Sequence, residues 1–127
     1  MKLVSINLPT PNAKKLADFY HKVLGANIDD SHGGPTRIEI WFGDTGEKTI
    51  FITALQDAEY ERPATEVCQG FEFSVRDVDK EYTRILDLGI EIKERPQDLP
   101  WGYRFFHIED PDGNGIDIVQ KLTTDID

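Results

Sequence analysis

Cysteine is nearly absent from this 127-residue sequence, with Cys68 standing alone. That excludes an internal disulfide framework and any multi-cysteine zinc site. Long apolar runs are missing too, and nothing approaches the ~20 residues of a bilayer-spanning helix. The opening Met1-Lys2-Leu3-Val4-Ser5 runs straight into a strand-like pattern without the apolar region of a signal peptide. A cytoplasmic chain is the expectation. Basic residues are scarce: 14 Lys and Arg face 24 Asp and Glu, a net charge of −10. Phosphate-rich partners require a basic patch, so neither nucleic acid nor an anionic membrane is an expected partner. What the chain does have is 39% hydrophobic residues, enough for a core and too many for disorder.

The negative charge is unevenly placed. Residues 1–55 are neutral, residues 56–69 sum to −3, residues 70–122 to −5 and the tail 123–127 to −2. The stretch from Gln56 to Thr65 has no clean hydrophobic period and contains Pro63. It reads as a connector, giving one domain over 1–122 made of modules 1–55 and 70–122, with connector 56–69 and an acidic tail 123–127. Cys68, inside the connector, reads as either a small buried hydrophobe or an exposed thiol.

The two modules share a plan. Val4-Ser5-Ile6-Asn7-Leu8 alternates like a half-buried strand. Asn12 offers a helix cap, and Leu16, Phe19, Tyr20, Val23 and Leu24 then form one helical face that Gly25 terminates. The second module repeats this with Phe71-Glu72-Phe73-Ser74-Val75, a cap at Asp77, and an apolar helical face from Val78 to Leu88 before Gly89. Gly25 and Gly89 lie 64 residues apart, as do Ile28 and Ile92. Two further strands follow in each module. They run from Arg37 to Phe42 and Thr49 to Leu55, joined by a turn at Gly43–Gly46, then from Tyr103 to Ile108 and Gly115 to Gln120. The expected fold is α+β: two tandem β-α-β-β-β modules forming curved, mostly antiparallel sheets around a cavity.

Strand alternation sorts these residues into two faces. One is apolar throughout (Val4, Ile6, Leu8, Ile38, Ile40, Ile50, Ile52, Phe71, Phe73, Phe106, Ile108, Ile116, Ile118) and should pack on the helices. The other carries Ser5, Asn7, Arg37, Glu39, Trp41, Phe51, Glu72, Tyr103, Phe105, His107 and Asp117. Large aromatics suit a surface that only meets water poorly; a pocket lined by aromatic and placed polar groups suits them better. A subunit interface is the alternative.

Three motifs carry a family resemblance. Leu16-Ala17-Asp18-Phe19-Tyr20-His21-Lys22-Val23-Leu24-Gly25 resembles the first-helix signature of the vicinal-oxygen-chelate superfamily, which includes glyoxalase I, bleomycin-resistance proteins, fosfomycin-resistance enzymes and extradiol dioxygenases. Ser74-Val75-Arg76-Asp77-Val78-Asp79 is similar to the start of its second module, and Asp110-Pro111-Asp112-Gly113-Asn114-Gly115-Ile116-Asp117 to its last hairpin. The resemblance implies a divalent metal held by His, Gln or Glu on inward strand positions. Those positions fall here on Ser5, near Phe51, near Gly70 and on Asp117, so the resemblance is to bleomycin-resistance-like members whose metal centre is lost. No metal and no cofactor are expected, one carboxylate being a poor ligand set.

His107 is the candidate catalytic group, since its near-neutral pKa suits a general base; the other reading is a histidine bonded within the cavity lining. Glu72 and Asp117 are expected to pair across the cavity or else to face water at sheet edges. Trp101, in a Pro-Trp-Gly segment similar to one in bleomycin-resistance-like members, offers a flat face for a planar or cationic ligand or anchors its loop on the core. His21, on a helix, and His32, in a loop, attract no functional reading. The expected ligand-binding set is Ser5, Asn7, Arg37, Trp41, Phe51, Glu72, Trp101, Tyr103, Phe105 and Asp117. These point to a metal-free protein binding an aromatic or cationic small molecule. The alternatives are a metal-dependent lyase, isomerase or dioxygenase with displaced ligands, and metal-free acid–base catalysis by His107. By analogy with relatives of this length, a homodimer is expected.

Overall fold

Asn12 and Asp77 do what their positions suggest: each side chain accepts from the backbone N–H three residues on, of Lys15 and of Lys80. In the computed structural model, which describes residues 1–44, 48, 50–61 and 70–122, these caps open α1 (Ala13–Leu24) and α2 (Val78–Asp87). A second device appears at both helix starts. The Gln56 side-chain oxygen accepts from the Ala13 amide at 3.1 Å, and that of Gln120 from the Val78 amide at 2.9 Å. Helix α1 ends at Gly25, whose φ of 74° lets the Gly25 and Ala26 amides reach the carbonyls of His21 and Tyr20. Helix α2 stops two residues before Gly89, with Leu88 as its cap.

The chain divides into two compact units, Met1–Ala64 and Thr65–Asp127. In the first, β1 (Ser5–Thr10), β2 (Asn27–Asp29), β3 (Arg37–Trp41) and β4 (Phe51–Gln56) form one sheet in the order β1-β4-β3-β2. In the second, β5 (Gly70–Ser74), β6 (Gln97–Leu99), β7 (Tyr103–Glu109) and β8 (Gly115–Lys121) form another in the order β5-β8-β7-β6. The outer pairs β1–β4 and β5–β8 are parallel and the rest antiparallel. Both sheets are thus mixed and four-stranded, and the α+β plan of two tandem β-α-β-β-β modules holds. Strands β2 and β6, three residues each, escape the alternation pattern because they are too short to show a period. Strand β4 runs to Gln56, one residue into the expected connector, because Gln56 still pairs with Thr10 of β1.

In the first unit Leu16, Ala17 and Tyr20 are buried with Ile38, Ile40, Ile52 and Ala54; in the second, Val78 and Ile85 are buried with Phe106, Ile108, Ile116 and Ile118. The apolar face is only partly covered, however. Val4 and Ile6 stay exposed, and Ile50 falls outside β4 and is exposed as well. The reason is width: a helix about 10 Å across spans roughly two strands spaced 4.8 Å apart. The helices settle over β3 and β4 and over β7 and β8, leaving the outer strands β1 and β5 less covered. The expected second-module loop is a tight turn around Asp110, which is buried. Its Oδ1 accepts from the amides of Asp112 and Asn114, both at 2.9 Å, and its Oδ2 from the Asn114 side chain at 2.8 Å. Thr45, Gly46, Thr49, Cys68 and the tail 123–127 lie outside the described residues, so the expectations for them have no structural counterpart.

Candidate functional site

In the second unit, register fixes the chemistry. Glu72 pairs with Asp117 across β5 and β8, and Asp117 pairs with His107 across β8 and β7. The three side chains form one row on the face turned away from the helix. Glu72 and Asp117 are therefore ladder neighbours on adjacent strands, not carboxylates facing each other across a cavity, because parallel pairing of β5 and β8 sets them side by side. The Nδ1 of His107 lies 2.7 Å from Oδ1 of Asp117. With Asp117 ionised, that bond requires the proton on Nδ1, and a neutral ring then presents Nε2 as its acceptor. Both side chains are a little over one third exposed.

Beside this row lies a cavity of about 460 Å³, lined by Glu72, Leu99, Trp101, Tyr103, Phe105, Asp117 and Val119. Five expected ligand-binding residues meet there: Glu72, Trp101, Tyr103, Phe105 and Asp117. Trp101 sits in the turn between β6 and β7, closed by the Gly102 amide on the Leu99 carbonyl at 3.1 Å. It is 69% exposed, which rules out the loop anchor packed on the core. His107 lines a smaller recess, about 140 Å³, with Lys93, Arg95 and Phe105 among its other walls.

In the first unit the corresponding face carries the row Asn7, Thr53, Glu39, Asp29 across β1, β4, β3 and β2. Ser5 pairs with Phe51 one step along, and Asn7 is exposed. Glu39 is buried, yet it carries two cations. Lys48 Nζ donates to its Oε1 at 2.6 Å, and Arg37 to its Oε2 at 2.8 Å. Arg37, expected to contact ligand, is thus committed to Glu39 and, at 3.3 Å, to the His32 carbonyl. Lys48 also donates to Asp29 at 2.9 Å, and its ammonium stands 4.5 Å from the Trp41 ring centre and 6.0 Å from that of Phe51. The hydrogen bonds from Lys48 and then Arg37 hold the Glu39 carboxyl below the usual range. Ser31 first, then Lys48, do the same for Asp29, while Glu39 and Asp29 push the Lys48 ammonium up. His32 also belongs here, its Nδ1 within 3.8 Å of both carboxylates, so that Asp29, His32 and Glu39 cluster.

Sequence reasoning missed Lys48, Asp29 and His32. Asp29 lies on a three-residue strand, and Lys48 and His32 lie outside the strands, where alternation assigns no face. The overlooked signal was charge: three acidic and basic side chains, Arg37, Glu39 and Lys48, flank an inward aromatic pair. His21 is structural, its Nδ1 2.8 Å from the Ala26 carbonyl just past the end of α1.

A sequence profile of the Glyoxalase/Bleomycin resistance protein/Dioxygenase superfamily matches residues 2–118. The chain belongs to this superfamily. Uncharacterized protein YraH of Bacillus subtilis (strain 168) is 30% identical to it over 131 residues, covering 96% of this chain and all of YraH. Uncharacterized protein YwbC of the same organism is 32% identical over 108 residues, 81% of this chain and 84% of its own. Among solved structures, virulence protein STM3117 from Salmonella typhimurium shares 25% identity with a TM-score of 0.71, covering 96% of this chain and 98% of that one.

Membership raises the question of the superfamily's divalent metal, and the residues at its implied positions do not fit one. Ser5, Phe51, Gly70 and Asp117 supply one carboxylate, which His107 already engages. Gly70 admits no ligand at all. A Cβ placed there would lie 1.7 Å from the Gly115 carbonyl oxygen on the paired strand. Among the described residues no helix is long and apolar enough to cross a membrane.

Proposed function

We propose that the chain is a metal-free binding protein for a small cationic or aromatic molecule, held on the open sheet face of its second unit. The cavity of about 460 Å³ carries this reading. Two carboxylates, Glu72 and Asp117, stand beside the aromatic walls of Trp101, Tyr103 and Phe105. Aromatic faces and carboxylates both attract organic cations, and an exposed indole on a tight turn stacks planar ligands at little ordering cost. The steric closure of position 70 argues for a site that works without a superfamily-type metal.

The test is a thermal-shift and calorimetric titration with benzyltrimethylammonium, using benzyl alcohol as the neutral control. The cation should raise the melting temperature of the full chain, and Trp101→Ala and Glu72→Gln should each weaken binding roughly tenfold, the scale of a desolvated cation–π or charged contact. An unchanged affinity in Trp101→Ala would remove the pocket assignment. Saturable binding of Mn²⁺ or Ni²⁺ that Asp117→Asn abolishes would replace this reading with the metal-dependent one.

A second reading has its own observation, the 2.7 Å bond between His107 and Asp117. A carboxylate that fixes the Nδ1–H tautomer presents Nε2 as a base, the arrangement of general base catalysis. Here a turnover assay decides. Any reaction the chain catalyses should fall at least a hundredfold in His107→Gln and less in Asp117→Asn; full turnover in His107→Gln excludes it.

A further inference from the structure

The first unit holds a built cation site made of its own residues, and its case does not rest on the reading just given. Its walls are two carboxylates, Glu39 and Asp29, and two aromatic faces, Trp41 and Phe51. A positive group already stands among them: the Lys48 ammonium is 2.6 Å from Glu39, 2.9 Å from Asp29, 4.5 Å from the Trp41 ring and 6.0 Å from the Phe51 ring. Its side chain is only 20% exposed. Thr53, opposite Glu39 in the β3–β4 ladder, is 1% exposed, and its hydroxyl has no hydrogen-bond partner among the described residues. Buried polar groups are normally satisfied, and exceptions mark places where something else belongs.

We propose that Glu39, Asp29, Trp41 and Phe51 form a receptor for an alkylammonium group, and that Lys48 is its built-in competitor. Charge arithmetic supports the exchange. With the His32 ring neutral, Lys48 and Arg37 balance the two carboxylates; with Lys48 withdrawn, Arg37 alone opposes both, and the deficit is one positive charge. The aromatic faces select for an organic cation. A hard divalent ion seeks six or more oxygen ligands and gains nothing from an indole. Lys48 is tethered, so its effective concentration is high and it raises the apparent dissociation constant of any competing amine.

The experiment uses the full chain with Trp101→Ala, which leaves Trp41 as the only tryptophan and removes the stacking face of the second-unit cavity. Tetramethylammonium and n-butylammonium are titrated while Trp41 emission is followed, with tert-butanol as neutral control. Adding Lys48→Ala should tighten ammonium binding at least tenfold, and a further Glu39→Gln should abolish the gain. Unchanged affinity in Lys48→Ala overturns the proposal. So does equal response to tert-butanol, or stabilisation of the Lys48→Ala chain by Mn²⁺ but not by ammonium. A second measurement needs no substitution. In the unmodified chain Lys48 should acylate at least tenfold more slowly with acetic anhydride than Lys14, whose side chain is 70% exposed, as read by peptide mass spectrometry. Tetramethylammonium, but not sodium chloride at equal concentration, should accelerate Lys48 selectively. Fast acylation of Lys48 without ligand, or no acceleration, also overturns it. Loss of second-unit binding in Trp101→Ala leaves these readouts to the first-unit residues, so failure of one reading is distinguishable from failure of the other.

Discussion

Asp110 satisfies three donors from a buried position, so removing its carboxylate strands the amides of Asp112 and Asn114 and the Asn114 side chain together. Asp110→Ala should cost about 2–4 kcal/mol in urea unfolding, and Asp110→Asn less, because one acceptor oxygen survives. Gly70 makes the opposite point, since there any side chain is one too many. Gly70→Ala should destabilise by about 2–4 kcal/mol, and Gly70→His should create no metal site, as equilibrium dialysis with Ni²⁺ would read. Glu39 sets a pH dependence. Its carboxyl is held below the ordinary value of about 4.3, so its contribution is complete above that value and lost as pH falls through the lowered one. Urea midpoints should therefore drop as pH falls below about 4.3, and Glu39→Gln should flatten that drop. The residue pattern made much of the second-unit site legible, since Glu72, Tyr103, Phe105 and Asp117 share a strand parity. The first-unit cluster was opaque, because its key ammonium comes from outside any strand.

The helices show which structural signals are local. A cap such as Asn12 or Asp77 is readable because its partner amide is three residues away and the apolar stripe begins beside it. The glutamine contacts are not, because Gln56 and Gln120 reach amides 43 and 42 residues away. Asn12→Ala and Asp77→Ala should each cost about 1 kcal/mol in thermal or urea unfolding. Replacing either glutamine with alanine should cost a similar amount, about 0.5–1.5 kcal/mol, by freeing a first-turn donor. The strands divide in the same way. The longer ones announce themselves by alternation, whereas β2 and β6 exist only through pairing with β3 and β7. Arg104 ties such an edge down, bridging Asp98 on β6 and Asp79 on α2.

At the level of the chain, the repeated plan was legible because the glycines beyond the helix ends recur at a fixed interval, and the same interval separates the two capping glutamines. The incomplete cover of β1 was not, since alternation says which face is apolar but not how far a helix reaches. Val4 and Ile6, which share a face, are 52% and 39% exposed at a sheet edge of the kind proteins protect. We expect a second copy to shield it. Sedimentation velocity at low micromolar concentration should show a species near twice the 14.5 kDa chain mass, and Val4→Lys with Ile6→Lys should shift it to monomer.

The two tryptophans have a further use. Trp41 lies under an ammonium in the first unit and Trp101 stands in solvent on the second. Each half of the duplication therefore carries its own optical label. Chains keeping one indole at a time would report the melting of one repeat without interference from its twin. The gap between their midpoints measures cooperativity across the duplication, in degrees. A segment of some 60 residues is marginal by itself, so that gap would show how far each repeat depends on the other to stay folded.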